Sequence, residues 1–292
     1  MALTINTNMS SLIVQKNLNA ATSMLNKSIE RMTTGYKINH AADNAAGYSI
    51  ATTWKTQLGS LDVASDNAST GADMLTTLED TYSLITSHLQ RVRDLTEQAA
   101  NGTYGSDSLK AIASEITARL EEIDRISANC EFNGLKMMDG SLTDDINLQV
   151  GLYSDAASRI ALDASLFQNG HVSALFKTFG GATVAEVAKL CSGYDGKQIT
   201  GGQNEMLNKI DAVISEISAR TTTLGAAQNR IESAVESINV QSENITSSLS
   251  TLRDADVAEE SSNYIKAQIL QQASATLLAT ANQTPSIALN LL

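Results

Sequence analysis

The chain has 292 residues, and its composition is unusual for a globular protein of that length. It contains one proline, and aromatic residues make up 4% of the sequence although 42% is hydrophobic. Such a chain can bury apolar surface along helix seams but lacks the aromatic bulk of a thick globular core. With a formal charge of −12, it offers no basic patch for a phosphate backbone, so we expect no nucleic-acid partner.

Cysteine usage and the N-terminal residues exclude further classes. Cys130 and Cys191 stand alone, without C-x-x-C spacing or a nearby histidine, so we expect small buried residues and no disulfide framework. No uncharged apolar run is long enough to span a membrane, so we expect no membrane contact. The first residues lack the basic start and apolar run of a cleaved secretory signal. The sequence therefore predicts a protein that stays in the cytoplasm or is exported through another signal.

Two long apolar stripes with a 3.5-residue period are the strongest pattern in the chain. They run through residues 50–99 and 207–252, and each predicts a long coiled-coil-like helix. The residues that interrupt the apolar stripes are Gln57, Gly71, Thr96, Thr221, Gln228 and Ser242. Because neither narrow stripe stabilises a helix alone in water, we expect the two helices to pack against each other.

The segments between these helices predict a third helix and a small insertion. Residues from about Asp107 to Ala128 carry an apolar face of Leu109, Ile112, Ile116, Leu120 and Ile123. From about 141 to 202 glycines become frequent, and residues 146–150 and 159–162 alternate in polarity. This pattern predicts a short β-hairpin, with a small helix near Val184–Leu190.

The two ends of the chain form another matched pair. Residues 10–33 and 257–281 are amphipathic but weakly charged. Their apolar residues at helical spacing include Val14, Leu18, Ala21, Leu25, Ile29, Met32, Tyr264, Ile265, Ile269, Leu270, Leu277 and Leu278. We expect both segments to find their full set of contacts only on assembly.

No arrangement of residues supports catalysis. Motifs of serine hydrolases, zinc peptidases, phosphate loops and dinucleotide-binding folds are absent. His88 is interpreted as a solvated helix-face residue, and Asp254 and Asp256 as caps of the helix that begins near Val257. We therefore expect a protein that is not an enzyme and holds neither a cofactor nor a metal.

The two ends carry runs that identify a family. The N-terminal runs are RMTTGYKIN (31–39) and AADNAAG (41–47), and the C-terminal ones are LGAAQNRI (224–231), RDAD (253–256), QILQQA (268–273) and LNLL (289–292). In this order and density they closely resemble the terminal regions of the bacterial flagellins. The resemblance covers roughly 1–140 and 203–292.

The resemblance implies a mainly α fold, a long antiparallel coiled-coil-like helical rod closed by both chain termini, with a small β-hairpin in a central insert. Three parts are implied: a terminal coiled coil lining an inner tube (1–43 plus 254–292), a three-helix rod (44–140 plus 203–253) and the insert (141–202). The implied function is that of a structural subunit of the flagellar filament, which drives swimming.

Three other functions are weighed against this one. A hook–filament junction protein shares the rod plan and stays as the alternative. A flagellin with a peptidase in its central insert would need a metal motif, which 141–202 lacks. Receptor recognition alone would be a consequence of the filament surface.

The resemblance also implies a location and partners. Export through the flagellar type III apparatus implies an extracellular protein in the filament. The implied partners are other copies of the chain, an export chaperone, a filament cap and junction proteins. Assembly contacts are expected from Leu18, Leu25, Ile29, Ile265, Ile269, Leu277, Leu278, Leu291 and Leu292.

A host receptor is the last implied partner. In flagellins that stimulate the vertebrate flagellin-sensing Toll-like receptor, four positions form the main recognition surface and two more contribute. The matching residues are Gln90, Arg91, Leu95 and Glu115, and then Ile112 and Arg119. Asp94 replaces the Glu that is common in strong activators. The resemblance therefore implies recognition by this receptor.

Overall fold

The computed structural model describes residues 8–177, 183–193 and 203–289. Its helices are α1 (Met9–Thr34), α2 (Ala45–Ala100), α3 (Ser106–Asn129), α4 (Val172–Leu175), α5 (Val184–Ser192), α6 (Gln203–Arg253) and α7 (Val257–Leu289). Its strands are β1 (Glu131–Phe132), β2 (Leu135–Lys136), β3 (Ile146–Gln149) and β4 (Arg159–Leu162). The predicted mainly α fold with long antiparallel helices and a small hairpin-containing insert is confirmed.

The chain divides into two compact units. The first consists of Met1–Gly59 and Ser242–Leu292, and the second of Ser60–Gln241. The boundaries fall inside α2 and α6, so each of these helices contributes one part to each unit. The division into 1–43 plus 254–292, 44–140 plus 203–253 and 141–202 stays a prediction.

The second unit is built on the apolar stripes. The side chains that the stripes predict to be buried include Leu75, Leu78, Ile85 and Leu89 of α2, Ile116, Leu120 and Ile123 of α3, and Ile210, Ile217 and Leu224 of α6, each at most 1% exposed. Gln228 Nε2 donates to Glu79 Oε2 at 2.9 Å, and Arg93 Nε to Asp211 Oδ1 at 2.6 Å, so α6 runs antiparallel to α2. Burying each such Leu or Ile stabilises the fold by about 1.5–3 kcal/mol.

Two of the residues that interrupt the apolar stripe of α2 are explained by contacts with the insert. A Cβ on Gly71 would lie 2.3 Å from Leu148 Cδ1, so the missing side chain makes room for β3. Thr96 is fully buried, donates to the Val92 carbonyl oxygen at 2.7 Å, and lies beside the Cys191 thiol of α5. The insert therefore packs at positions where the helix offers a small or hydroxyl side chain.

The structure contains the predicted hairpin and a second, shorter one. In the antiparallel β3–β4 pair, Ile146 lies opposite Leu162 and Gln149 opposite Arg159. The β1–β2 turn holds Asn133 at φ 49° and Gly134 at φ 81°, the left-handed conformation that Asn-Gly adopts readily in a two-residue hairpin.

Both cysteines are free and buried, as expected. Burial raises the pKa of the Cys130 thiol, and it raises the pKa of the Cys191 thiol to about 12. Thiolate chemistry at neutral pH is therefore suppressed at both residues. Among the described helices, none combines the length and apolar character that crossing a membrane requires.

Substitutions at two glycines of α2 test how the β3–β4 hairpin packs against this helix. We expect Gly71→Leu to lower the free energy of unfolding by about 1–3 kcal/mol, because the new side chain and Leu148 compete for one space. The control is Gly59→Leu in the same helix, where no atom lies within 4 Å of an added Cβ. Denaturant unfolding of both variants measures the difference, and equal stabilities would contradict the assigned contact.

Candidate assembly and recognition surfaces

The first and last helices pack against each other in an antiparallel pair. Near one end, Asn8 Nδ2 donates to the Ala281 carbonyl oxygen at 2.7 Å, and Ser11 Oγ donates to Asn282 Oδ1 at 2.8 Å. Asn8 also caps α1, since its side chain accepts from the Ser11 N–H. The expectation that the beginning of the chain lies beside its end is therefore confirmed.

The seam of this pair is made of small residues. Among the described side chains, the small residues Ala21 and Ser28 of α1 and Ala267 and Ser274 of α7 are buried, as is Glu260 of α7, each at most 8% exposed. On each helix the two small residues are seven apart, so they share one face in a coiled-coil-like repeat. Small seam residues allow close approach of the backbones, so that most of the larger apolar side chains remain outside the contact.

Most of the larger apolar side chains of both helices that the structure describes face outward. In α1 these are Met9, Leu12, Ile13, Met24, Ile29 and Met32, and in α7 Val257, Ile265, Ile269, Leu270 and Leu277, all 38–61% exposed. On α7, Ile265, Ile269 and Leu270 line a groove of about 400 Å³. Contiguous exposed apolar surface of this kind marks a protein interaction site.

The predicted assembly residues distribute unevenly over these surfaces. Ile29, Ile265, Ile269 and Leu277 are exposed. Leu18, Leu25 and Leu278 are half-buried, while Leu291 and Leu292 lie outside the described residues. Of the small seam residues, Ala21 was predicted on the apolar face, whereas Ser28, Ala267 and Ser274 were missed, although the seven-residue spacing of Ala and Ser in both helices would have indicated them.

Next to this pair, residues 35–44 meet residues 253–256, and we call this region the joint. Gly35 ends α1 at φ 74°, and its carbonyl oxygen accepts from the Ala255 N–H at 2.8 Å. Tyr36 forms an antiparallel bridge with Asp254, and the Arg253 guanidinium lies 4.1 Å from the centroid of the Tyr36 ring. Two of the runs that carry the family resemblance thus bind each other here.

The two acidic residues predicted as helix caps have different roles. Asp256 caps α7, because its Oδ1 accepts from the Ala258 N–H at 2.8 Å and from the Glu259 N–H at 3.2 Å. The cap prediction is wrong for Asp254, which lies in the bridge with Tyr36. The sequence did not distinguish them, since the bridge depends on a strand-like partner more than 200 positions away.

Asp43 organises the N-terminal side of the joint. Its carboxylate accepts from the backbone N–H groups of Asn39 and His40, both at 3.2 Å, and pairs with Lys27 Nζ at 2.7 Å. The hydrogen bond from Lys27, followed by that from the His40 N–H, lowers the pKa of Asp43 to about 2. The ionised carboxylate therefore ties the loop to α1.

We expect acid to weaken the interactions of Asp43 with Lys27 and with the loop backbone. Because the folded state lowers the pKa of Asp43 below its ordinary value of 3.8, the stabilisation is complete above that value and is lost as the pH falls towards 2. Asp43→Asn should lower the free energy of unfolding at pH 7 by about 1 kcal/mol and flatten its pH dependence between 4 and 2. Thermal unfolding followed by circular dichroism measures both effects. Parallel pH profiles for the parent and the variant would contradict the assignment.

The predicted receptor residues do not all share one surface. Arg91 Nη2 lies 2.8 Å from Glu115 Oε1, and Arg119 Nη2 lies 3.9 Å from the same oxygen, so these three partly exposed residues form one charged cluster across α2 and α3. Gln90 is exposed but lines a groove between α2 and α6 together with Thr221. The cluster and Gln90 therefore lie on different sides of α2.

Two further predicted receptor residues lie in the core. Leu95 is 2% exposed and Ile112 is 7% exposed. Leu95 follows Val92 by three positions and precedes Ala99 by four, which places it on the buried face of α2. Both residues therefore belong to the core and do not form part of the exposed surface.

His88 belongs to the same buried face. It is half-buried, and its Nδ1 is buried with no hydrogen-bond partner among the described residues. Burial, and then the charge of Arg119, lower its pKa, so the imidazole is neutral at pH 7. The interpretation of His88 as a solvated residue is wrong, because positions 88, 92, 95 and 99 form a second stripe towards α3. Within the described ranges, no three His, Cys, Asp or Glu side chains converge as a metal site requires.

Comparison with known proteins identifies the family to which these surfaces belong. The profile of the bacterial flagellin N-terminal helical region matches residues 5–143, and that of the C-terminal helical region matches residues 207–292. This chain belongs to the bacterial flagellin family. Flagellins are structural proteins of the bacterial flagellar filament, and the family is not one of enzymes.

Individual flagellins match over the full length of the chain. It is 33% identical to the flagellin of Bacillus subtilis (strain 168), over 99% of both chains. It is 28% identical to polar flagellin F of Vibrio parahaemolyticus, over 100% of both chains. A solved flagellar hook-associated protein from Vibrio parahaemolyticus is 13% identical with a TM-score of 0.61, covering 73% of this chain and 100% of that one. This last likeness shows the fold alone.

Proposed function

We propose that this chain polymerises into the bacterial flagellar filament that drives swimming. The observation that carries the proposal is the outward apolar surface of the α1·α7 pair, where residues such as Ile265 and Ile269 are 54% and 60% exposed. A heterologous contact between such surfaces propagates without closing and builds a helical polymer. Full-length similarity to flagellins supports the same function.

The assembly contacts that we propose are those of the terminal helices. Their residues are Leu18, Leu25, Ile29, Ile265, Ile269, Leu277, Leu278, Leu291 and Leu292. Neighbouring subunits would bury the apolar side chains that the small-residue seam leaves outside. Because these side chains are already partly buried in the free subunit, each exposed one that is fully buried contributes about 1–2 kcal/mol to the contact.

Seeded elongation tests this function. Purified full-length protein is dissociated by heat, returned slowly to neutral buffer with filament seeds, and imaged by negative-stain electron microscopy. We expect long uniform filaments, which deletion of 258–292 abolishes. Monomers that never elongate on seeds would overturn the proposal in favour of a hook–filament junction protein, whose rod plan is the same.

Export and the remaining partners follow from this role. We propose that the chain is exported unfolded through the flagellar type III apparatus and lies outside the cell in the filament. An export chaperone for the C-terminal segment, a filament cap and junction proteins would be its partners. The resemblance of both terminal regions to flagellins supports these proposals.

We also propose that the vertebrate flagellin-sensing Toll-like receptor binds the charged cluster of α2 and α3. The cluster offers the partly exposed Arg91, Glu115 and Arg119 on two helices that their own core holds rigid. Leu95 and Ile112 are buried residues of the same two helices, and Gln90 lies on another side of α2. A preformed charged surface reduces the ordering that binding requires.

A further inference from the structure

The small buried residues of the α1·α7 seam are alike on its two sides. In α1 they are Ala21 and, seven positions later, Ser28. In α7 they are Ala267 and, seven positions later, Ser274. Because both helices present the same two residue types at the same spacing, small-residue packing alone does not distinguish an α1·α7 pair from an α7·α7 or α1·α1 pair.

One buried ion pair breaks this likeness. Glu260 lies one heptad before Ala267, its side chain is 8% exposed, and its Oε1 accepts from Arg31 Nη1 at 2.8 Å. The side chain of Arg31 is 26% exposed, and its Nε is buried with no hydrogen-bond partner among the described residues. A buried carboxylate is tolerated only with a matching cation, which here comes from the opposite helix.

We propose that the Arg31–Glu260 pair determines the pairing specificity of the terminal helices, so that α1 joins α7 and not a second copy of itself. The proposal rests on the proposed function, since polymerisation brings many copies of both helices together. In an antiparallel α7·α7 pair centred on Ala267, Glu260 would lie opposite Ser274, and in a parallel pair it would lie opposite its own copy. Each arrangement buries a carboxylate without a cation, and α1·α1 pairs bury a guanidinium without an anion.

A cysteine at the seam reports homotypic pairing. In the full-length chain, Ala267→Cys places a thiol that an antiparallel α7·α7 pair brings opposite its copy, whereas α1 covers it in the native pair. The substitution is made in three backgrounds: the parent, the uncharged Arg31→Met/Glu260→Leu, and the reversed Arg31→Glu/Glu260→Arg. Mild oxidation followed by non-reducing electrophoresis measures disulfide-linked dimers. The same backgrounds without Ala267→Cys control for the buried Cys130 and Cys191.

We expect about tenfold more dimer in the uncharged background than in the parent, and a return to the parent level in the reversed background. Equal dimer in all three backgrounds would overturn the proposal, and so would a reversed pair that dimerises as much as the uncharged one. Circular dichroism checks folding, and Arg31→Gln/Glu260→Gln replaces the uncharged pair if that variant loses helix. Seeded elongation of the parent separates the two proposals: its failure overturns the filament function, while the dimer ratio alone decides pairing specificity.

Discussion

We expect the replacement of Ile265 and Ile269 with serine to abolish elongation on filament seeds and to leave the helix content of the free chain unchanged. Both side chains are more than half exposed in the α1·α7 pair, so their loss removes little from the fold of one subunit. Because 54% and 60% of their surfaces remain to be buried, each contributes about 1–2 kcal/mol in the polymer, and the double variant loses about 2–3 kcal/mol per subunit. Since about 1.4 kcal/mol is tenfold in an equilibrium constant, the critical concentration should rise about tenfold to a hundredfold.

The matched control for this variant is Val240→Ser on α6. Val240 is 53% exposed, so this change also removes exposed apolar surface, but outside the terminal helix pair. Its elongation rate should stay at the parent value, as measured by filament length against time in electron micrographs. Filaments of normal length from the Ile265→Ser/Ile269→Ser variant would show that this face of α7 is not an assembly contact.

We expect the reversal of one charge in the cluster of α2 and α3 to lower receptor activation about tenfold or more. Arg91→Glu removes the ion pair with Glu115 and replaces one of the two guanidinium groups of the cluster with a second carboxylate. The side chains of Arg91 and Glu115 are 48% and 39% exposed, so the lost ion pair costs at most about 1 kcal/mol of stability. A reporter cell line carrying the vertebrate receptor measures the dose response.

Arg93→Glu is the control for charge reversal on the same helix. Arg93 pairs with Asp211 of α6 and with Glu97, so it lies away from the cluster shared with α3. We expect its potency to match that of the parent chain. Equal losses from Arg91→Glu and Arg93→Glu would indicate a general charge effect, and an undiminished response to Arg91→Glu would exclude the cluster as the receptor surface.

Much of the fold was predictable because its pattern is local. The 3.5-residue stripes in 50–99 and 207–252 gave the two long helices to within a few residues, and alternation in 146–150 and 159–162 gave the hairpin. The runs at both ends identified the family. The candidate surfaces were predicted less well, since exposure depends on neighbours that a single stripe does not reveal. Leu95 was expected at a recognition surface, yet it belongs to a second buried stripe that faces α3.

The sequence by itself determined the helices, the hairpin and the family, because periodicity and turn chemistry act between residues close together in the chain. Only the tertiary structure decided that Gly71 receives Leu148, that Tyr36 pairs with Asp254, and that Arg31 holds Glu260. These contacts join residues tens to hundreds of positions apart, and each requires both elements to be placed first. In the local sequence, a glycine in an apolar stripe or a glutamate on a helix seam only interrupts the pattern. The structure explains such a residue by the side chain that the fold places opposite to it.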